Sequence, residues 1–94
     1  MASSIKIQKR DATHFHVRVK DGGSETVHEI TLDSNDLARL GGGNVAAETL
    51  IQKSFEFLLE REPKESILGS FHLTVISRYF PDYEREIRRR LAAG

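Results

Sequence analysis

The sequence predicts an α+β fold, a three-stranded antiparallel sheet packed against a long central helix and two or three shorter helices. Three observations carry this expectation. Residues 5–32 alternate apolar and polar with a period of two, interrupted by Asp21-Gly22-Gly23-Ser24, whose glycines supply the positive φ of a tight reversal. Residues 44–59, NVAAETLIQKSFEFLL, switch to helical spacing. Beyond them the chain is cut into short pieces by Pro63, Gly69 and Pro81. Strands first and helices afterwards is the order of an α+β fold. The 94 residues are expected to form one domain, with a strand region over 1–32 and a helical region over 33–94.

Taken in order, Ile5 and Ile7 alternate with Lys6 and Gln8 as in a half-buried strand. Arg10-Asp11-Ala12-Thr13 reads as a turn. The second strand sets Phe15, Val17 and Val19 on one face, and the return strand runs over 26–32. A reversal between Gly22 and Gly23 pairs Phe15 with Ile30, Val17 with His28 and Val19 with Thr26. The other face then carries His14, His16, Arg18, Lys20, Glu25, Val27 and Glu29, with His16 opposite Glu29 and Lys20 opposite Glu25.

A short helix follows over 32–40, capped by Asp33 or Ser34 and ended by Gly41. Gly41-Gly42-Gly43 makes a bend. Asn44 is placed to cap the central helix, which presents Ala47, Ile51, Phe55 and Leu58 inward, widened by Leu50, Ser54, Phe57 and Leu59, and stops before Pro63. One helical turn is expected at 64–68, then a helix over 71–79 capped by Ser70. The last helix carries Tyr83, Ile87 and Leu91 four apart, with Glu84 paired to Arg88 and Glu86 to Arg90.

Lys plus Arg and Asp plus Glu are both 14, a net charge of zero. That balance argues against a nucleic-acid binder and favours self-association. There is no cysteine, hence no disulfide, thiol nucleophile or thiolate metal site, as suits a reducing cytoplasm. Met1-Ala2-Ser3-Ser4 lacks the basic and apolar blocks of a signal peptide, and no apolar run approaches the roughly 20 residues of a membrane span. A cytoplasmic protein without a membrane partner is expected.

No residue pattern assembles a catalytic group, a cofactor site or a metal site. His14 and His16 share a strand face, but a metal needs a third ligand close by, and His28 falls on the opposite face. Glu56, Glu60, Glu62 and Glu65 read as a solvated face. The glycine run lacks the lysine of a phosphate loop and reads as a hinge. Phe71, Tyr79, Phe80 and Tyr83, clustered around Pro81, are the candidate protein-contact residues. Arg78, Arg85, Arg88, Arg89 and Arg90 are the candidate nucleic-acid contacts, although cations at a helix C-terminus also offset its dipole.

The tracts SFEFLLEREPKESIL (54–68) and FHLTVISRYFPDYEREI (71–87) resemble those of small uncharacterised bacterial proteins, a resemblance that covers the last half of the chain and implies a bacterial cytoplasmic protein without implying an activity. A sheet followed by a long helix is also similar in layout to the antitoxin halves of some toxin–antitoxin pairs. The sequence thus predicts a non-catalytic protein-interaction module that self-associates, a homo-oligomer or the partner of another protein. The alternative expectation is a nucleic-acid-binding, antitoxin-like regulator that uses the C-terminal arginines.

Overall fold

The computed structural model describes residues 4–42 and 44–93, so the first three residues, Gly94 and Gly43 of the expected bend lie outside the described residues. The fold is α+β. Its sheet has four strands where the sequence predicted three: β1 (Ser4–Lys9), β2 (His14–Asp21), β3 (Ser24–Thr31) and β4 (Ser70–His72), side by side in that order. The sheet is mixed, because β4 joins β3 in parallel while the other pairs are antiparallel.

The β2–β3 hairpin has the register its alternation predicts, with Phe15 opposite Ile30, Val17 opposite His28 and Val19 opposite Thr26. Gly22 and Gly23 supply the turn with φ of 62° and 88°, which a β-carbon would resist. Phe15, Val17, Val19, Ile30 and Leu32 are buried, and Ile5 and Ile7 of β1 join the same face half-buried. On the outer face His16 bonds Glu29 as expected. Lys20 stands opposite Glu25, but Arg18 takes that carboxylate diagonally at 2.9 Å. In the turn between β1 and β2, Asp11 Oδ1 accepts the N–H groups of Thr13 (2.9 Å) and His14 (3.0 Å). The Thr13 N–H and the His14 ring hold the Asp11 carboxyl down to about 2.

Helix α1 (Ser34–Gly41) starts where Asp33 accepts the Asp36 N–H at 2.9 Å and ends on Gly42 at φ 72°. Helix α2 (Ala47–Leu59) starts later than predicted. Its cap position is Ala46, without a side-chain bond, so Asn44 is not the cap. Val45 explains the delay: it packs on the core beside Gly41, where a β-carbon would come within 3.1 Å of Val45 Cβ. Half-burying that side chain holds the chain in a bend at Val45, and Ala46 is extended before the helix begins. From there Leu50, Ile51, Ser54, Phe55, Phe57 and Leu58 are buried between the sheet and α4 (Tyr83–Ala93).

The largest departure from expectation lies between residues 70 and 80. In place of a helix over 71–79 capped by Ser70, the chain forms β4, a 3₁₀ turn (Leu73–Val75) and the single-turn helix α3 (Ile76–Tyr79). The cause is the open side of β3. The Glu29 N–H donates to the Gly69 carbonyl at 2.8 Å, and the His28 ring donates from Nδ1 to the Leu68 carbonyl at 2.7 Å. Sheet-edge groups under a packed layer need partners, and that demand outweighs local helical spacing. The segment before it is a 3₁₀ turn (Lys64–Ser66) entered through Pro63.

The predicted ion pairs within α4 are replaced. Glu84 accepts from Arg39 of α1 at 2.7 Å, Glu86 from Arg89 at 2.7 Å, and Arg90 reaches Glu60 at the end of α2 with two bonds, 2.6 and 2.9 Å. Once α4 docks, Glu60 offers Arg90 a forked geometry, and Arg39 a partner for Glu84, that spacing along α4 does not reveal.

Candidate functional site

Three of the four aromatics predicted to make contacts line one surface groove of about 290 Å³. Phe71 enters it from β4, placed by pairing with Ile30. Tyr79 and Phe80 enter from the end of α3, where the Phe80 N–H still bonds the Ile76 carbonyl at 2.9 Å and the backbone then turns extended ahead of Pro81. Leu58 of α2, Glu62 just beyond it and Leu68 before β4 are also part of the wall, with Glu62 the charged side chain in the lining. Leu68 is 47% exposed and Tyr79 65%, so the lip of the groove is two large apolar groups standing in solvent.

Rigid supports hold each wall. His28 is buried and bonded at both ring nitrogens, to the Leu68 carbonyl and to Thr26 Oγ1 at 2.8 Å. A carbonyl can only accept, so Nδ1 carries the proton and Nε2 accepts from the Thr26 hydroxyl. This ties β3 to the backbone that carries Leu68. On the opposite side the Arg61 guanidinium lies 3.8 Å from the Phe57 ring centroid and donates to Asp82 at 2.7 Å. Phe57 in turn meets the Phe80 ring edge-on at 5.9 Å. The end of α2, the chain break at Pro81 and the start of α4 are thereby fixed together.

Tyr83, the fourth predicted contact residue, is fully buried and does not reach the groove. It sits in the first turn of α4 facing α2, and its hydroxyl meets Ser54 Oγ at 2.6 Å. Burial pushes its phenol above the ordinary tyrosine value. Leu68 and Glu62 are groove residues that the sequence did not mark. The available signal for Leu68 was its place in the apolar pair Ile67-Leu68 before Gly69: in an extended segment adjacent side chains point opposite ways, so with Ile67 buried Leu68 faces outward.

The predicted arginine set is divided. Arg90 is half-buried against Glu60, which it holds below the usual carboxylate range, and Arg89 is paired with Glu86. Arg78, Arg85 and Arg88 are exposed and form no ion pair among the described residues. Arg88 lines a shallow cleft of about 340 Å³ with Arg39 and Asn44. Of the histidines, His14 bonds Asp11 at 2.8 Å and His16 bonds Glu29. Among the described residues no group of three or more His, Cys, Asp or Glu is arranged to hold a metal ion, and no helix is long and apolar enough to cross a membrane.

Compared with family models, with curated proteins and with solved structures, the chain matches none.

Proposed function

We propose that this protein is a small non-catalytic interaction module that self-associates, with the groove between β4, α3 and the end of α2 as its contact surface. The supporting observation is the apolar lip, Leu68 and Tyr79, left in solvent beside an apolar cleft. Covering such groups recovers roughly 25 cal/mol per Å² of apolar surface. The groove's volume of about 290 Å³ lies just below the roughly 300–1,000 Å³ that enclose small ligands. It suits one or two side chains of a partner. The zero net charge adds no long-range repulsion between copies. Sedimentation velocity across the micromolar range is expected to show a mass that rises above the monomer with concentration. Tyr79→Asp and Leu68→Asp are expected to lower association at least tenfold while leaving the far-UV circular dichroism unchanged, about 1.4 kcal/mol in association free energy. A wild-type protein that stays monomeric throughout removes self-association from this proposal.

A second reading rests on Arg78, Arg85 and Arg88, exposed and without acidic partners among the described residues. It makes the protein a nucleic-acid-binding regulator of antitoxin-like type that grips phosphate. A gel shift with duplex DNA at low and moderate salt tests it. Binding that weakens with salt and disappears when the three arginines become Ala supports this reading, and absence of a shift at low salt rejects it.

A further inference from the structure

We propose that the groove of one copy receives strand β1 of a second copy, so that the sheet continues from β4 of one molecule into β1 of the next. The inference rests on the self-association reading and names the segment that does the binding.

The sheet ends at β1 on one side and β4 on the other. Strands alternate their side chains across a sheet, so residues in register share a face. Phe71 is in register with Ile30, a buried residue of the inner face, and Phe71 lines the groove. A strand added outside β4 therefore projects every second side chain into that same apolar space. The chain carries a strand of matching pattern at its other edge. Ile5, Ile7 and Lys9 of β1 pair with Val19, Val17 and Phe15, all of the inner face, and the two isoleucines are only half-buried in their own copy. Ile5 and Ile7 pack on the core of their own copy, and the apolar surface they leave open is what a neighbour's groove would cover.

Charge selects this pairing over its alternatives. Between residues 4 and 10 stand Lys6, Lys9 and Arg10 and no acid, with Lys9 on the face of Ile5 and Ile7, whereas the charged side chain lining the groove is Glu62. Two β1 edges brought together oppose cation to cation, and two grooves oppose Glu62 to Glu62. Only β1 against the groove opposes unlike charges. Lysines on an edge strand discourage pairing with their own kind and leave it open to an acidic partner. The contact is heterologous: each added copy carries its own unused β1 or groove, and the assembly closes as a ring or grows as a filament.

Two variants blocked at opposite ends test this. Lys6→Glu/Lys9→Glu spoils β1 and leaves the groove intact. Leu68→Asp/Tyr79→Asp spoils the groove and leaves β1 intact. All four positions are exposed, and circular dichroism confirms that each variant keeps its fold. Each variant alone is expected to be monomeric, while an equimolar mixture forms a one-to-one heterodimer that grows no further, read by sedimentation and native mass. In parallel, the synthetic peptide SIKIQKR, residues 4–10, is expected to dissociate wild-type assemblies, whereas its charge-reversed form SIEIQED does not. Wild-type association with no heterodimer in the mixture and no effect of the peptide overturns the β1–groove pairing while self-association stands. Association of the β1 variant at wild-type strength overturns it as well. A monomeric wild type removes the self-association reading beneath it.

Discussion

Ser54 has one hydroxyl proton and two neighbours for it. The Leu50 carbonyl at 2.7 Å can only accept, so the proton goes there, and Tyr83 must donate to Ser54 Oγ. The two ends of this bond are therefore unequal. Tyr83→Phe removes the donor and leaves Ser54 bonded to Leu50, a loss of about 0.5–1.5 kcal/mol. Ser54→Ala strands the buried Tyr83 hydroxyl and is expected to cost more, about 1–3 kcal/mol. Urea unfolding of the two variants checks the order, and equal or reversed costs would contradict the assigned donor. The same burial sets an alkaline limit. With the folded phenol raised, the unfolded chain loses its proton first, so Tyr83's contribution is intact below pH 10 and fades as pH rises beyond it. At this scale the sequence was informative where a residue obeyed its own stripe. His28 fell on the inner face by alternation, and its bonds inside the core followed from the cost of burying an imidazole unpaired. Tyr83 likewise followed its stripe with Ile87 into the core; the contact role suggested by its place near Pro81 fails because Ser54 of α2 supplies an internal partner for its hydroxyl.

Among the elements, the joint between α2 and α4 rests on two arginines and the Phe57 ring. Arg61 lies flat on Phe57 and bonds Asp82, while Arg90 forks onto Glu60 with its guanidinium 5.6 Å from the same ring. Arg61→Ala is expected to cost about 1–2 kcal/mol through loss of the stacked cation and its bond. Arg61→Lys should recover less than half of that, because an ammonium has neither the plane nor the fork of a guanidinium. Thermal or urea unfolding of both variants is the check, and full recovery by lysine would show that charge alone holds the joint. This joint was not legible in advance. Spacing within α4 favoured Glu84–Arg88 and Glu86–Arg90; Glu86 instead takes Arg89 of the same helix, while Glu84 and Arg90 find partners on α1 and at the end of α2, at sequence distances that no local pattern encodes. The β2–β3 hairpin was legible down to its register because its turn and both faces lie within one short stretch. β4 was not, because Ser70 to His72 has no strand pattern of its own and takes its form from the edge of β3.

For the whole molecule, acid should act on the ties between helices. Arg39 holds the Glu84 carboxyl and Arg90 the Glu60 carboxyl below the ordinary 4.5, so both contribute stability above that value and lose it as pH falls through their folded values. These pairs join α4 to α1 and to the end of α2; in the strand region Asp11 is also held low, but in an exposed turn away from the joints between helices. Stability measured by urea unfolding is expected to decline below pH 4.5, and Glu60→Gln/Glu84→Gln is expected to be weaker at neutral pH but flatter with acid. A double variant that declines as steeply as the wild type would remove these carboxylates as the cause. The candidate site shows the same division between what is local and what is assembled. Phe71, Tyr79 and Phe80 were identified from composition around Pro81, but the groove they line exists only because β4 and the end of α2 come together. Leu68 and Glu62 become its lip and its charge for that reason alone.

The latch from His28 to the Leu68 carbonyl joins residues 40 positions apart, and β4 completes the sheet from the same distant segment. During translation, then, the first three strands emerge and fold back on one another well before their fourth neighbour exists. Contacts of such long separation are slow to form. Throughout that interval the growing polypeptide carries a ready template for unwanted strand pairing, and the pace at which the ribosome delivers the last third decides how long it lasts.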